Sequence, residues 1–143
     1  MLCREIMKRV VERFGTTDSV MEIARRMREM NIGFVPICDR DGHPLGAVTD
    51  RDVAMRVCAE DKKASRVRAG DIMTHETVTC RDVDEVERAE ELMAEHHKSR
   101  IMVLDAHGRL VGVISMSDLV SDEGDAKAVE TLRRITEREV HLH

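Results

Sequence analysis

Apolar residues recur at helical spacing in two stretches of the chain, and two short apolar runs follow each stretch. In the first stretch, Asp18 or Ser19 can cap the helix, and Gly33 is suited to the left-handed residue that follows it. Apolar runs at 35–38 and 45–48 flank a turn that contains glycine, which predicts a β-hairpin. The apolar residues at three- and four-residue spacing in the first stretch are Val20, Ile23, Ala24, Met27 and Met30.

The same order of elements returns 66 residues later without a gap, so the chain is a tandem repeat. Both copies end in one motif: glycine, two apolar residues, a hydroxyl residue, two variable residues and aspartate. The motif runs from Gly46 to Asp52 in the first copy and from Gly112 to Asp118 in the second. A further helix is expected to start within each motif. The second helix stripe consists of Val86, Ala89, Leu92 and Met93, and its hairpin strands are 101–104 and 110–114.

Short strands that alternate with helices, twice over, predict an α/β fold, built as an α+β sandwich with pseudo-twofold symmetry. The first copy is placed at 1–60 and the second at 71–122, with a charged connector at 61–70. Residues 123–143 are expected to form a C-terminal helix or tail. Its helical part should be 125–139, with a narrow apolar stripe that could pack on this chain, on a partner or on little at all. The stripe is Val129, Leu132 and Ile135.

Composition and charge exclude several classes of function. The net charge of −5 argues against a general nucleic-acid binder, because such affinity rests on clustered Lys and Arg. A phosphorylated small ligand is still possible, since it needs only a local basic spot. The four cysteines form no C-x-x-C pair, so no metal site is expected and a reducing cytosol fits. No signal peptide or membrane-length apolar run is found, which predicts a soluble, cytoplasmic protein.

The hydroxyl–carboxylate motif allows two interpretations. In the structural one, the hydroxyl and the aspartate three residues later form a helix cap. In the functional one, the hydroxyl and the helix start favour a phosphate, and the two carboxylate oxygens suit the vicinal hydroxyls of a ribose. The occurrence of the motif in both copies favours function. No nucleophile–base pair stands out, so no enzymatic activity is expected.

The repeat as a whole resembles a pair of CBS domains, the Bateman module, over residues 2–121. The resemblance rests on the Ile-Met pair that opens each copy, the 33–37 segment and the two motifs; the first motif, at 49–52, is similar to that of small stand-alone bacterial CBS-pair proteins. It implies a β-α-β-β-α unit in each copy, packed through the sheets, and two clefts between the copies. It also implies a homodimer. The ligands implied are AMP, ADP, ATP, S-adenosylmethionine or NAD-type molecules, with no obligatory cofactor.

The same resemblance assigns residues to the two clefts. Asp52 would hold the ribose in the first cleft, and Arg100 would reach the phosphates, so phosphorylated nucleotide should prefer that cleft. The predicted first-cleft residues are Thr49, Arg51, Asp52, Thr77, Val78, Thr79, Ser99, Arg100 and Ile101. The predicted second-cleft residues are Val10, Val11, Gly33, Phe34, Val35, Ser115, Ser117 and Asp118.

The function expected from the sequence is therefore regulatory. An adenosyl ligand would bind between the two CBS motifs and change the geometry of a homodimer, which an unidentified protein partner would read. The alternative is a protein-interaction scaffold whose clefts stay empty. Neither nucleic acid nor a membrane is expected as a partner.

Overall fold

The computed structural model describes residues 1–10, 13–122 and 129–135. Contacts group them into two compact units. The first unit comprises residues 13–77, and the second comprises 1–10 with those from 78 onward. Between residues 1 and 122, the described α-helices are α1 Cys3–Ile6, α2 Val20–Met30, α3 Asp50–Val53, α4 Ala69–Ile72, α5 Val86–His96 and α6 Met116–Asp122. Helix α3 continues into a π-helical turn, Ala54–Cys58, and Ala64–Arg66 forms a 3-10 turn. The strands are β1 Lys8–Arg9, β2 Phe34–Cys38, β3 Pro44–Thr49, β4 Thr79–Arg81, β5 Arg100–Leu104 and β6 Leu110–Ser115.

Helix α2 forms where the apolar spacing predicts it, and its ends are fixed by local hydrogen bonds. The Glu22 N–H donates to the Ser19 hydroxyl at 3.2 Å, which caps the helix start. The left-handed residue at its end is Asn31, with φ of 52°, and not Gly33 as expected. Asparagine tolerates this conformation through its short polar side chain. His97, the repeat equivalent of Asn31, ends α5 in the same way with φ of 53°.

Glycine is required at position 33 for a different structural reason. A Cβ at this position would lie 2.6 Å from Asp50 Oδ2, and the Gly33 carbonyl accepts the Asp50 N–H at 3.0 Å. The glycine therefore lets the start of β2 lie against the start of α3.

The two units have the same strand arrangement, but the outer strands of the first unit are shorter. The second unit has a four-stranded sheet in the order β1-β6-β5-β4, with β4 parallel to β5. The first unit pairs β2 with β3 in an antiparallel hairpin. On either side of this hairpin, the outer strands shrink to single bridges, Phe14–Ile37 and Ala47–Thr74. These bridges are the repeat equivalents of the β4–β5 and β1–β6 pairings.

The segments that open each copy pack on the other copy's elements. In the second unit, the α1 N–H groups of Cys3 and Arg4 donate to the carbonyls of Asp84 and Asp82 at 2.8 and 3.0 Å. In the first unit, α4 makes the equivalent bonds to residues 18 and 16 at 2.8 and 2.9 Å. Each compact unit therefore contains residues from both copies of the repeat. The predicted bounds of the copies, 1–60 and 71–122, describe the sequence motifs and stay a prediction.

Each unit has its own apolar core. In the first unit, Ile23 from α2 and Ile37 from β2 are fully buried, while Met93 and Ile114 are fully buried in the second. Burial of such a side chain contributes roughly 1.5–3 kcal/mol. Residues 129–135 are helical, and Ile135 belongs to the second unit's core.

The remainder of the predicted helix 125–139, namely 125–128 and 136–139, lies outside the described residues. Val129 is exposed, so the apolar stripe packs on this chain at Ile135 and not along its whole length. Across the part of the chain described here, none of the helices combines the length and the apolar character that a membrane crossing requires.

Gly46 in β3 is the position where the fold should tolerate a side chain least. A Cβ there would lie 2.5 Å from the Thr74 carbonyl oxygen, which belongs to the backbone and cannot rotate away. Gly46→Ala is expected to lower the free energy of unfolding by about 1–3 kcal/mol, measured by urea denaturation. Gly15→Ala is the control, because its Cβ would meet only ordinary contacts at 3.7 and 4.0 Å. Equal stabilities for the two variants would contradict the close approach at Gly46.

Candidate functional site

The first motif forms a reciprocal helix cap at the start of α3. The Asp52 N–H donates to the Thr49 hydroxyl at 3.1 Å, and the Thr49 N–H donates to Asp52 Oδ2 at 2.9 Å. This is the structural interpretation of the motif, and the structure contains it. The cap fixes both side chains at the end of β3 without occupying Asp52 Oδ1.

Thr74 completes the surroundings of this carboxylate. Its hydroxyl lies 3.0 Å from Asp52 Oδ1 and 3.1 Å from Oδ2, so it can donate to either oxygen. Arg56 Nε is 3.9 Å from Oδ1, and Asp52 is only 6% exposed. A buried carboxylate needs such donors, because leaving it unsatisfied is costly.

Thr74 was not predicted as a site residue from the sequence. The signal that could have found it is its position directly after Ile72-Met73, the pair that opens the second copy. The segment reaches Asp52 because its backbone lies against β3, with Ala47 and Thr74 exchanging N–H···O bonds of 2.9 and 2.8 Å. That approach requires the absent side chain at Gly46.

The second motif repeats the cap at the start of α6. The Ser115 N–H and hydroxyl donate to Asp118 Oδ2 at 2.8 and 2.9 Å, and the Asp118 N–H lies 3.4 Å from the Ser115 hydroxyl. The Ser117 hydroxyl is 2.8 Å from that of Ser115. Here too the cap uses Oδ2.

Lys8 takes the place of Thr74 beside the second motif. Its Nζ is 3.4 Å from Asp118 Oδ1; the Lys8 side chain is 77% exposed and that of Asp118 is 12% exposed. Lys8 follows Ile6-Met7 just as Thr74 follows Ile72-Met73, so the two residues are repeat equivalents. The group closest to Oδ1 therefore differs between the motifs: the neutral Thr74 hydroxyl at 3.0 Å from Asp52, with Arg56 at 3.9 Å, and the Lys8 ammonium at 3.4 Å from Asp118.

The predicted site residues are divided between the two units. Thr49, Arg51, Asp52 and Thr77 of the predicted first cleft belong to the first unit, as do Gly33, Phe34 and Val35 of the second cleft. The second unit contains Val78, Thr79, Ser99, Arg100 and Ile101, together with Val10, Ser115, Ser117 and Asp118. Val11 lies outside the described residues. The assignment of residues to two clefts stays a prediction.

Within each unit, the hairpin brings predicted residues beside the motif. In the first unit, Phe34 is opposite Thr49 in the β2–β3 register. In the second, Arg100 is opposite Ser115, and the Ser99 carbonyl accepts the Met116 N–H at 2.9 Å. Arg100 is therefore a register neighbour of the serine motif in its own unit. Its predicted role at Asp52 concerns the other unit and stays a prediction.

One group among the described residues has the composition of a metal site. Asp39, Asp41 and His43, in the β2–β3 turn, offer ligand atoms within 4.8 Å of one another. However, Asp39 Oδ1 already accepts the N–H groups of Asp41 and His43, both at 2.9 Å. The bond from His43 is the main cause that lowers the pKa of Asp39. Asp105 makes the same turn in the second copy, so turn geometry accounts for this group.

Comparison with known proteins identifies the fold family. The sequence profile of the CBS domain matches residues 3–58 and 69–123. The chain therefore belongs to the CBS domain family and contains two CBS domains, which confirms the resemblance seen in the sequence. The mixed α/β architecture is confirmed by solved structures of CBS-pair proteins.

Three similar proteins illustrate the relationship. Protein MK0525 of Methanopyrus kandleri is 34% identical over 83% of this chain, which spans 61% of the length of that protein. The CBS domain protein PAE2072 from Pyrobaculum aerophilum, solved in complex with AMP, is 27% identical with a TM-score of 0.76, over 92% of this chain and 98% of that one. The CBS pair of protein MJ0100, solved with 5′-methylthioadenosine and S-adenosyl-L-methionine, is 26% identical with a TM-score of 0.72, over 85% and 94% of the two chains.

Replacing Thr74 by valine tests its contact with Asp52. Valine keeps the shape of threonine but removes the hydroxyl that donates to the buried carboxylate. Thr74→Val is expected to lower the free energy of unfolding by about 1–2 kcal/mol, measured by chemical denaturation. Thr17→Val, at an exposed turn position, is the matched control. A Thr74→Val protein no less stable than the control would show that the hydroxyl does not support Asp52.

Proposed function

We propose that this chain is a regulatory module that binds an adenosine-containing ligand through its CBS motifs. The observation that carries the proposal is the preset carboxylate of Asp52. Its Oδ2 is committed to the cap, while Oδ1 is contacted by the Thr74 hydroxyl and lies 3.9 Å from Arg56. A ribose offers two vicinal hydroxyl donors, and a carboxylate has about four acceptor positions, so Asp52 can accept from a ribose while Oδ2 holds the cap. The AMP complex of PAE2072 supports adenosine as the ligand class.

The two motifs are proposed to differ in affinity, with Asp52 the stronger ribose site. Thr74 presents a neutral hydroxyl at Asp52, where the nearest cation, Arg56 Nε, is 3.9 Å from Oδ1, so a ribose hydroxyl can replace the Thr74 bond without displacing that cation. At Asp118, a ribose would have to share the carboxylate with the Lys8 ammonium. Since Lys8 is largely exposed, its ion pair with Asp118 is weak. Its positive charge still reduces the strength of Asp118 as an acceptor for the ribose hydroxyls. This difference and the predicted phosphate contact from Arg100 both favour the Asp52 site for nucleotides.

Regulation requires more than binding. A ligand shifts a conformational equilibrium only by its unequal affinity for the two states, so sensing needs two forms of the protein. We propose a homodimer as the assembly whose geometry changes, and a protein partner as the reader. No catalytic step is assigned to the module in this proposal. If the chain is instead a ligand-free scaffold, no adenosine compound will stabilise it.

A thermal-shift panel of AMP, ADP, ATP, S-adenosylmethionine and NAD tests ligand binding. A ligand at about 100 times its Kd should add about 2.7 kcal/mol of stability, which is several degrees of melting temperature.

Asp52→Asn is expected to weaken AMP binding by about tenfold or more, measured by calorimetry, because a charged hydrogen-bond acceptor is lost. Asp118→Asn is the matched variant and should weaken it less. The reverse order, or no shift with any compound, would contradict the proposal.

Lys8 provides a separate test of the difference between the motifs. In an Asp52→Asn background, Lys8→Met is expected to strengthen the remaining AMP binding several-fold, because Asp118 loses its ion-pair partner. Lys62→Met is the control, since it removes an exposed lysine paired with Glu60 at 2.8 Å in the first unit. Weaker AMP binding in the Lys8→Met protein would show instead that Lys8 contacts the ligand.

A further inference from the structure

Two cysteines that are far apart in the sequence contact each other in the second unit. The Sγ atoms of Cys3 in α1 and Cys80 in β4 are 3.8 Å apart, although their residue numbers differ by 77. Both residues are buried, at 0% and 5% exposure. The Cys80 thiol donates to Cys3 Sγ, and the Cys3 thiol donates to the Glu85 carbonyl at 3.7 Å. The two sulfur atoms therefore face each other directly.

The backbone holds this contact in place from both sides. Cys3 is fixed by its N–H bond to the Asp84 carbonyl, and Met7 N–H returns to the Cys3 carbonyl at 3.0 Å. Cys80 is the central residue of β4, paired with Val103 of β5. The proximity of the sulfurs is thus a property of the fold of this unit.

We propose that Cys3 and Cys80 form an oxidative modification site, which a peroxide converts into a reversible disulfide. The Cys3 thiolate attacks the O–O bond of a peroxide, ROOH, to give the Cys3 sulfenic acid and the alcohol ROH. Cys80 then attacks the sulfenic sulfur, forming the S–S bond and releasing water. The balance is two thiols and one peroxide giving one disulfide, one alcohol and one water. With hydrogen peroxide, both products are water.

The order of the two steps follows from the environment of the thiols. The hydrogen bond from Cys80 lowers the pKa of Cys3, which favours Cys3 as the thiolate that attacks first. The same contact, together with burial, raises the pKa of Cys80, so Cys80 stays protonated while Cys3 reacts first. A disulfide needs the sulfurs at about 2.05 Å. Because α1 is a single helical turn, the movement that brings the sulfurs together or admits a peroxide involves only a short segment of backbone.

The disulfide would have a defined effect on the chain. It would enclose residues 4–79, which include all described residues of the first unit, in one covalent loop. Closing so long a loop restricts the unfolded chain strongly, so the oxidised protein should be more stable than the reduced one. The disulfide would also fix the position of β4, whose first residue, Thr79, is one of the predicted ligand residues.

The experiment uses the full chain carrying Cys58→Ala, which removes the exposed thiol that could cross-link two molecules. The reduced protein is treated with hydrogen peroxide, alkylated under denaturing conditions and analysed by intact mass and peptide mapping. We expect a mass lower by two hydrogen atoms, two thiols lost to alkylation and a cross-linked Cys3–Cys80 peptide pair. Dithiothreitol should reverse all three. The melting temperature should rise by more than about 5 °C on oxidation.

Two further variants keep the test decisive. Cys3→Ala and Cys80→Val, each in the Cys58→Ala background and checked for folding by circular dichroism, should give no protein lower by two hydrogen atoms at the same peroxide dose. If neither variant folds, the peptide map of the Cys58→Ala protein decides alone. Intact thiols at Cys3 and Cys80, a sulfinic acid on either without the cross-link, or a bond to Cys38 would each overturn the proposal.

Discussion

The close approach of a backbone segment to β3 at Gly46, and to β6 at Gly112, is the constraint on which the candidate site depends. A Cβ at Gly46 would lie 2.5 Å from the Thr74 carbonyl, and one at Gly112 would lie 3.0 Å from the Lys8 carbonyl and 2.5 Å from Met7 Sδ. Without these contacts, neither Thr74 nor Lys8 would reach the motif aspartate. The glycine of the repeated motif is therefore needed so that a residue outside the motif can lie beside the aspartate.

The same constraint explains how the repeat makes units that are alike in topology but different in chemistry. Each motif receives its extra contact from the segment that follows an Ile-Met pair, and in both cases this segment opens the other copy. Because these segments occupy equivalent places, a single difference between Thr74 and Lys8 changes the nearest partner of the carboxylate from a neutral hydroxyl to an ammonium. The backbone geometry can stay the same while the electrostatics of the two sites diverge.

The sequence predicts the local elements well because their signals are local. The α2 helix, its cap at Asp18 or Ser19 and both hairpins follow from periodicity and turn residues, and the structure has them at the expected positions, with Ser19 as the cap. Gly33 shows the limit of such reasoning. Glycine is required there because of the Asp50 side chain, 17 positions later in the sequence, and not because of the helix end. Thr74 and the Cys3–Cys80 contact are similarly beyond local patterns, since each depends on which distant segments the fold brings together.

The helix cap is compatible with the proposed ribose contact, because the cap engages only one oxygen of the carboxylate. In both motifs the helix cap engages Oδ2, through the Thr49 N–H in one and through the Ser115 N–H and hydroxyl in the other. A carboxylate has about four acceptor positions, so capping leaves capacity at Oδ1. That oxygen faces Thr74 in the first motif and Lys8 in the second. A cap that orients the carboxylate also lowers the cost of ordering it for a ligand, which is how one short motif can serve folding and recognition together.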